Sequence, residues 1–194
     1  MRARLRITGP IIPFDRANVD TDLIIPARFM KTLTRAGLGE GAFAALRGMP
    51  GNVFEHPWYR GAPILVAGAN FGCGSSREHA VWALQQIGIE AVIAPSFGEI
   101  FEANALRNGL LAVRVPEAAI EALVETGPAT HVTIDVVAER VIMPGGEIPF
   151  RLDPFRKHCL VNGLDEIAIT EGFEAEIAAY EERARRERPW EQNA

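Results

Sequence analysis

Three short apolar runs, separated by two helix-like segments, constrain the fold of this chain more than any other feature. The runs are 64–67, 91–94 and 110–113, and each has the length of a buried strand. Segments 75–87 and 98–108 repeat their apolar residues on one helical face, formed by Ala80, Val81, Leu84 and Ile87 in the first and by Ile100, Phe101, Asn104 and Ala105 in the second. Strands that alternate with helices form βαβ units. The sequence therefore predicts an α/β fold with a parallel sheet.

The flanking segments extend this sheet. Helix 98–108 is expected to end at Gly109, and a further helix is expected to open at Pro116 and end at Gly127. Segment 13–27 reads as a loop. Further strands are predicted at 2–7, 131–137, 140–143 and 147–150, and further helices at 154–161 and 173–188. The last helix is supported by pairs of opposite charge four residues apart, Glu181 with Arg185 and Glu182 with Arg186. We expect one domain, 1–194, with a mixed sheet and a C-terminal helix, 173–188.

Segment 28–61 has little periodicity and is interrupted by glycine at 37, 39, 41, 48, 51 and 61. Only a short helix near 43–46 is suggested. A long segment of this kind inside a compact domain is usually functional or mobile. The sequence predicts that 28–61 is a mobile recognition loop.

Charge and composition exclude several classes of protein. The net charge of −5 argues against a nucleic-acid binder and against binding to anionic membranes. No apolar run approaches the ~20 residues that span a bilayer, and the basic start of the chain lacks the apolar core of a signal peptide. The expected compartment is the cytoplasm. Cys73 and Cys159 are too few for a three- or four-cysteine iron–sulfur ligand set, and we expect no metal site in this chain.

The stretch GANFGCGSSREHA, residues 68–80, joins a predicted strand to a predicted helix, where open α/β sheets bind their ligands. Gly72 and Gly74 permit a sharp turn. Ser75 and Glu78 fit a capping box, which would make Ser76 and Arg77 the first helical residues. Free amides, the helix dipole and the Arg77 guanidinium would then favour a small carboxylate. A capped helix with a solvated Arg77 explains the same residues, so both interpretations stay open at this point. The pattern is neither a phosphate-binding P-loop nor a dinucleotide-binding fingerprint.

The same stretch resembles the signature of the small subunits of 3-isopropylmalate dehydratase, and also the C-terminal swivelling domain of aconitase. Two more motifs carry the resemblance: NVDTDLIIP at 18–26, and Pro95-Ser96-Phe97 followed by Phe101, Asn104 and Asn108-Gly109. The resemblance implies a swivelling β/β/α three-layer domain. It implies a hydro-lyase of leucine biosynthesis, which isomerises 2-isopropylmalate to 3-isopropylmalate by dehydration and rehydration.

The resemblance also implies roles for individual residues. Ser75 matches the base that removes the substrate's α-proton, and Ser76 and Arg77 match residues that bind a substrate carboxylate. Residues expected to form an apolar wall for the isopropyl group are Phe29, Met30 and Leu33, and those expected to position the loop are Asp20, Thr21 and Asp22. A four-iron four-sulfur cluster is implied on a large partner subunit, with none bound by this chain alone. The substrate would be a small dicarboxylate.

Several alternatives remain open. Asp20 and Asp22 could be acid–base carboxylates, although Asx turns that bond the loop backbone are favoured. His79 could carry a proton, but a structural role is favoured, and Cys73 is expected to be mainly a packing residue. The implied enzyme could instead be the small subunit of homoaconitase or of a citraconate or dimethylmaleate hydratase. A third possibility is a carboxylate-binding module without catalysis.

Overall fold

The computed structural model describes residues 3–30, 35–127 and 130–190. Within these ranges one mixed sheet has seven strands in the order β4-β3-β2-β1-β5-β6-β7. The strands are β1 (Arg6–Phe14), β2 (Ile64–Ala67), β3 (Ala91–Ala94), β4 (Leu111–Arg114), β5 (His131–Asp135), β6 (Arg140–Met143) and β7 (Gly146–Pro149). Strands β1 to β4 are parallel to one another, and β5, β6 and β7 continue the sheet in antiparallel pairs from the other edge of β1. The predicted mixed sheet with a parallel βαβ part is confirmed.

The described residues form seven α-helices. They are α1 (Thr21–Ile24), α2 (Glu78–Gln86), α3 (Glu99–Arg107), α4 (Glu117–Glu125), α5 (Pro154–Asn162), α6 (Glu166–Glu171) and α7 (Glu174–Glu187). Helices α2 and α3 pack on one face of the parallel half, and α4 and α5 pack on the other. Alternate residues of β2 enter different cores, because successive side chains of a strand point to opposite faces. Leu65 packs with α2 and α3, whereas Ile64 and Val66 pack with α4 and α5. The continuous apolar runs seen in the sequence are therefore required by a sheet that is buried on both sides.

Strand β1 is longer than the sequence predicts. The predicted strand at 2–7 and part of the predicted loop at 13–27 are replaced by one strand that runs from Arg6 to Phe14. Gly9, Pro10 and Pro13 interrupt any local strand signal. Two partners compensate, because β5 pairs antiparallel with the first half of β1 and β2 pairs parallel with the second half. Non-local pairing, which local propensity does not register, sets the length of this strand.

Other differences from the sequence prediction are local. Helix α1 lies within the predicted loop 13–27, and α6 was not predicted. Ile100 was expected to face the core but is exposed, whereas Phe101, Asn104 and Ala105 of the same helix are buried. Pro116 precedes α4 as its N-cap residue instead of being the first helical residue. No described helix has the length and apolar character needed to cross a membrane.

The described part of segment 28–61 packs extensively against the domain. It contains short 3₁₀ helices at Leu38–Gly41, Ala44–Leu46, Val53–Glu55 and Pro57–Tyr59. Phe43 is buried and stacks on Phe54 with ring centroids 3.7 Å apart, and Phe14 of β1 meets both rings edge-on. Residues 31–34 of this segment, which include Leu33, lie outside the described residues.

The antiparallel half of the sheet carries a buried carboxylate at Asp135, at the end of β5. Its Oδ1 accepts a hydrogen bond from the Ala138 amide at 2.8 Å, and its Oδ2 accepts one from Arg6 Nε at 2.8 Å. The backbone hydrogen bond from Ala138 is the largest cause that lowers the pKa of Asp135, and Arg6 lowers it further, against an opposing effect of burial. The charged form of Asp135 therefore stabilises the folded chain.

We expect Asp135→Asn to lower the free energy of unfolding more at pH 7 than at pH 3. The folded pKa lies below the unfolded value of about 3.9, so the stabilisation is complete above that value and is lost as the pH falls through the folded pKa. Urea unfolding at the two pH values measures this. Asp153→Asn is the control, because asparagine can cap α5 as aspartate does. A deficit for Asp135→Asn that is equal at both pH values contradicts the expectation.

Candidate active site

The three sequence motifs meet in the folded chain at the carboxyl ends of the parallel strands. Segment 18–21 runs alongside 69–73: the Asn18 amide donates to Ala69 O at 2.8 Å, the Gly72 amide to Val19 O at 2.7 Å, and the Thr21 amide to Cys73 O at 3.0 Å. On the other side, the Phe71 amide donates to Ser96 O at 3.0 Å, and the Gly98 amide donates to Phe71 O at 2.9 Å. The 68–80 stretch is thus held between the other two motifs by backbone hydrogen bonds.

Gly72 is required at the centre of this arrangement for two reasons. Its φ of 72° lies in the left-handed region, which side chains with a Cβ rarely adopt. A Cβ at this position would also lie 2.2 Å from the Phe101 ring. Phe101 itself packs edge-on against Phe71, with ring centroids 5.3 Å apart. The turn that follows Gly72 therefore packs on the aromatic rings of Phe71 and Phe101, which restrict its position.

Ser75, Ser76 and Arg77 form an exposed turn before the helix, and the predicted capping box is wrong. Helix α2 begins at Glu78, and its N-cap residue is Arg77, which makes no side-chain capping hydrogen bond. The Arg77 amide bonds back to Ser75 O at 2.8 Å, and the Thr21 hydroxyl donates to the same oxygen at 3.3 Å. These two bonds hold a tight turn at Ser75–Arg77, and Arg77 itself has extended backbone dihedrals, so Ser76 and Arg77 are not helical and no side chain caps the helix.

Arg77 already contacts a carboxylate within the chain. Its Nη1 forms an ion pair with Asp22 Oδ1, and the exposed fractions of the two side chains are 23% for Arg77 and 56% for Asp22. Asp20 lies on the same segment, and its Oδ1 accepts the Leu23 amide at 2.7 Å as the N-cap of α1. The Asx-type bond predicted for Asp20 is thus observed, whereas Asp22 is directed at the arginine instead of at the backbone.

The two described residues of the predicted apolar wall lie beyond α1. Phe29 and Met30 are half-buried and pack against the core cluster that also contains α2. Phe29 covers Gly41, where a Cβ would come within 2.7 Å of it. Arg35 follows the undescribed residues, and its guanidinium lies 4.5 Å from the centre of the Trp82 ring. These contacts attach the described residues on either side of 31–34 to the domain.

A polar network beside the turn was not predicted from the sequence. Asn108, at the end of α3, donates to Glu78 Oε1 at 2.6 Å and accepts from the Trp82 indole at 2.8 Å. His79, for which a structural role was favoured, is half-buried and lies 5.0 Å from the Trp82 ring. In the sequence, Asn108 and Gly109 were noted only as part of the third motif, and neither residue was given a role.

The described ranges contain no group of three or more histidine, cysteine, aspartate or glutamate side chains that could hold a metal ion. Cys73 is half-exposed within the turn region and Cys159 is buried in α5, and both are free thiols. The donor set for an iron–sulfur cluster is therefore missing from the described residues of this chain. What the site offers is a hydroxyl, an arginine and a carboxylate at one edge of the sheet.

Comparisons with known proteins identify the family of this chain. The aconitase C-terminal domain family matches residues 1–118. The chain is 50% identical over 191 residues to the 3-isopropylmalate dehydratase small subunit of Erythrobacter litoralis, an alignment that covers 98% of this chain and 96% of that protein. It is 54% identical over 186 residues to the protein of the same name from Novosphingobium aromaticivorans, with 95% and 92% covered.

A solved structure extends the agreement to the fold. The crystal structure of 3-isopropylmalate dehydratase from Methanocaldococcus jannaschii superposes with a TM-score of 0.71 at 28% identity, and covers 90% of this chain and 99% of that one. The fold class expected from the resemblance, that of the aconitase C-terminal domain, is thereby confirmed. The chain belongs to the family of 3-isopropylmalate dehydratase small subunits.

Proposed function

We propose that this chain supplies the serine–arginine turn of a 3-isopropylmalate dehydratase, a hydro-lyase that interconverts 2-isopropylmalate and 3-isopropylmalate. The observation that carries the proposal is the exposed turn of Ser75 and Ser76 beside Arg77, which is held against a carboxylate at the carboxyl edge of the sheet. The relatives described above bear this enzyme's name, and their alignments include the turn. A binding module without catalysis has no observation in its favour beyond those that the enzyme also explains.

Ser75 is proposed as the base. In the forward direction its oxygen takes the proton from the carbon next to the one that bears the hydroxyl. The electron pair of that C–H bond forms the double bond of 2-isopropylmaleate. The hydroxyl leaves with its own bonding pair and takes a proton, to form water, from an acid that we assign to the partner subunit. Rehydration with the opposite placement of hydrogen and hydroxyl gives 3-isopropylmalate. A serine hydroxyl is a weak base at its ordinary pKa, so the alkoxide needs nearby donors and a positive field. The N-terminal end of α2 and Arg77 provide these.

Arg77 and Ser76 are proposed to bind one substrate carboxylate. The guanidinium has five donors in a fixed fork, and a carboxylate can accept two of them at once. The ion pair of Arg77 with the carboxylate of Asp22 supports this proposal. We assign Asp20, Thr21 and Asp22 to positioning: Asp20 caps α1, Thr21 holds Ser75 O, and Asp22 orients Arg77.

The rest of the site is proposed to come from a large partner subunit. In this family a four-iron four-sulfur cluster, when bound, would polarise the departing hydroxyl. The described residues of this chain do not fit such a cluster, so we assign its ligands to the partner. Ser75 and Ser76 are exposed in the single chain and need a second surface to exclude water from the reaction. We place the whole chain, 1–194, as one swivelling domain on that surface.

Segment 28–61 is proposed as the substrate-recognition loop. Phe29 and Met30 follow Asp22 by seven and eight residues, and we propose that they form part of the wall that meets the alkyl group of a substrate held by Arg77. An apolar wall favours an isopropyl group over a third carboxylate, because an unpaired charge at such a wall is costly to bury. Discrimination by one methylene is worth only ~1–3 kcal/mol, so selectivity between alkyl substrates would be modest.

Ser75→Ala is expected to lower kcat of the two-subunit complex by about 10²- to 10⁴-fold, because the proton acceptor is lost. Co-expression with a cluster-bearing large subunit and an absorbance assay for the unsaturated intermediate measure the effect. Assembly of the complex, followed by size-exclusion chromatography, should be unchanged since Ser75 is exposed. If the loaded complex keeps full turnover after this change, the proposed lyase function is wrong.

Arg77→Lys is expected to raise KM for 2-isopropylmalate by about 10- to 100-fold, because lysine keeps the charge but loses the two-pronged contact with a carboxylate. Asp22→Asn is the matched variant. The ion pair is half-exposed, so its loss should change KM less than about fivefold. Equal effects of the two variants would mean that Arg77 serves only to hold Asp22.

The substrate is tested with the reconstituted pair. We expect kcat/KM for 2-isopropylmalate to exceed that for homocitrate by at least about tenfold, because homocitrate would place a third carboxylate where the apolar residues of 28–61 lie. Citraconate, which has a smaller side chain, should be intermediate. A preference for homocitrate would assign the chain to homoaconitase, and a preference for citraconate would assign it to a citraconate or dimethylmaleate hydratase.

A further inference from the structure

We propose that Asn108 is a positioning residue that fixes the first turn of α2, which has no side-chain N-cap, and thereby holds Ser75 in place for proton transfer. The inference rests on the proposed role of Ser75. It starts from the way in which α2 begins. A serine three residues before a glutamate usually caps a helix with its own hydroxyl. Here the helix begins at Glu78 without a side-chain cap, although Ser75 stands three residues before it.

Glu78, the first residue of α2, is held from a different element. Asn108 Nδ2 donates to Glu78 Oε1 at 2.6 Å and also to Asn104 O at 2.9 Å. Its Oδ1 accepts from Trp82 Nε1 at 2.8 Å. The indole can only donate, and Asn104 O can only accept. The orientation of the Asn108 amide is therefore determined by its partners.

The backbone of Asn108 is fixed as well. Gln85 Nε2 donates to Asn108 O at 2.7 Å, so three residues on successive turns of α2 bond to this single residue. Asn108 lies just after α3, and Gly109 follows it with φ of 71°, which turns the chain towards β4. Because Gly109 leads directly into β4, Asn108 connects the start of α2 to the sheet.

The consequence for the reaction follows from the spacing along the chain. Glu78 directly follows Arg77 and lies three residues from Ser75, with an extended turn between them. A shift of Glu78 is therefore transmitted to the serine oxygen. Proton transfer depends on the placement of the base to within about 1 Å, whereas a long arginine side chain can adjust to a displaced carboxylate. We call the contacts of Asn108 with α2 the clamp. Loss of the clamp should lower kcat more than it raises KM.

The test compares Asn108→Asp with Asn162→Asp. Both asparagines lie at a helix end before a glycine with positive φ, and both donate from Nδ2 to the carbonyl four residues earlier, at 2.9 Å for Asn108 and 2.8 Å for Asn162. Asn162 is remote from α2 in the fold. Both variants lose the local bond, but only Asn108→Asp sets a carboxylate against Glu78.

In the loaded two-subunit complex, Asn108→Asp should lower kcat by about 10- to 100-fold, with KM for 2-isopropylmalate within about threefold of wild type. Asn162→Asp should keep kcat within about twofold. The exchanged pair Glu78→Gln with Asn108→Asp restores a donor and an acceptor at the contact and should recover most of kcat. Should Asn108→Asp not fold, Glu78→Ala removes the same contact from the α2 side and should show the same loss.

Hydrogen exchange on this chain alone separates the clamp from the proposed function. Asn108→Asp should speed exchange of the Ala80 and Val81 amides, in the first turn of α2, by at least about tenfold relative to Asn162→Asp. That result supports the clamp whether or not the wild-type complex isomerises isopropylmalate. If the wild-type complex has no such activity, only the proposed function is wrong. The positioning role is overturned if kcat of Asn108→Asp matches that of Asn162→Asp, if the exchanged pair recovers nothing, or if the α2 amides are unaffected.

Discussion

The backbone ladder between segments 18–21 and 69–73 is the interaction on which the site depends. It holds the chain that leaves β1 beside the chain that leaves β2, although the two segments are about fifty residues apart in sequence. Parallel neighbours in a sheet end at the same edge, so the ladder continues the pairing of β1 with β2 past the end of the sheet. Without it Thr21 would not reach Ser75 O, and Asp22 would not reach Arg77. The candidate site is therefore formed by the segments that follow two strands, β1 and β2, and not by one loop.

Much of the fold could be predicted because its central strands are buried on both sides. Runs 64–67 and 91–94 were predicted with the bounds that the structure has, since a fully buried strand needs an unbroken apolar sequence. Strand β1 could not be predicted in the same way. Its glycine and prolines signal a turn locally, and only the pairing with β2 and β5 makes it a strand. Helix α6, six residues long and without buried residues, has no apolar stripe for the sequence to show.

The sequence predicts a candidate site, but the contacts around it could not be predicted from the sequence. Glycines before a serine, an arginine and a helix placed it at residues 72–77. The capping box placed the first helical residue two positions too early, because it is a local rule. In the structure Thr21 and Asn108, both distant in sequence, hold Ser75 O and the Glu78 side chain. The ion pair of Arg77 with Asp22 likewise joins two motifs whose proximity depends on the ladder. The sequence pattern of one motif does not show which residues of another motif it contacts.

The ion pair between Arg77 and Asp22 has a consequence for how binding responds to ionic strength. If a small carboxylate replaces Asp22 on the guanidinium of the chain alone, one partly exposed pair of charges is exchanged for another, and the number of close pairs is conserved. Screening by dissolved ions weakens both pairs to a similar degree. The affinity contributed by this arginine would then change little between dilute buffer and concentrated salt, as long as Asp22 remains its resting partner.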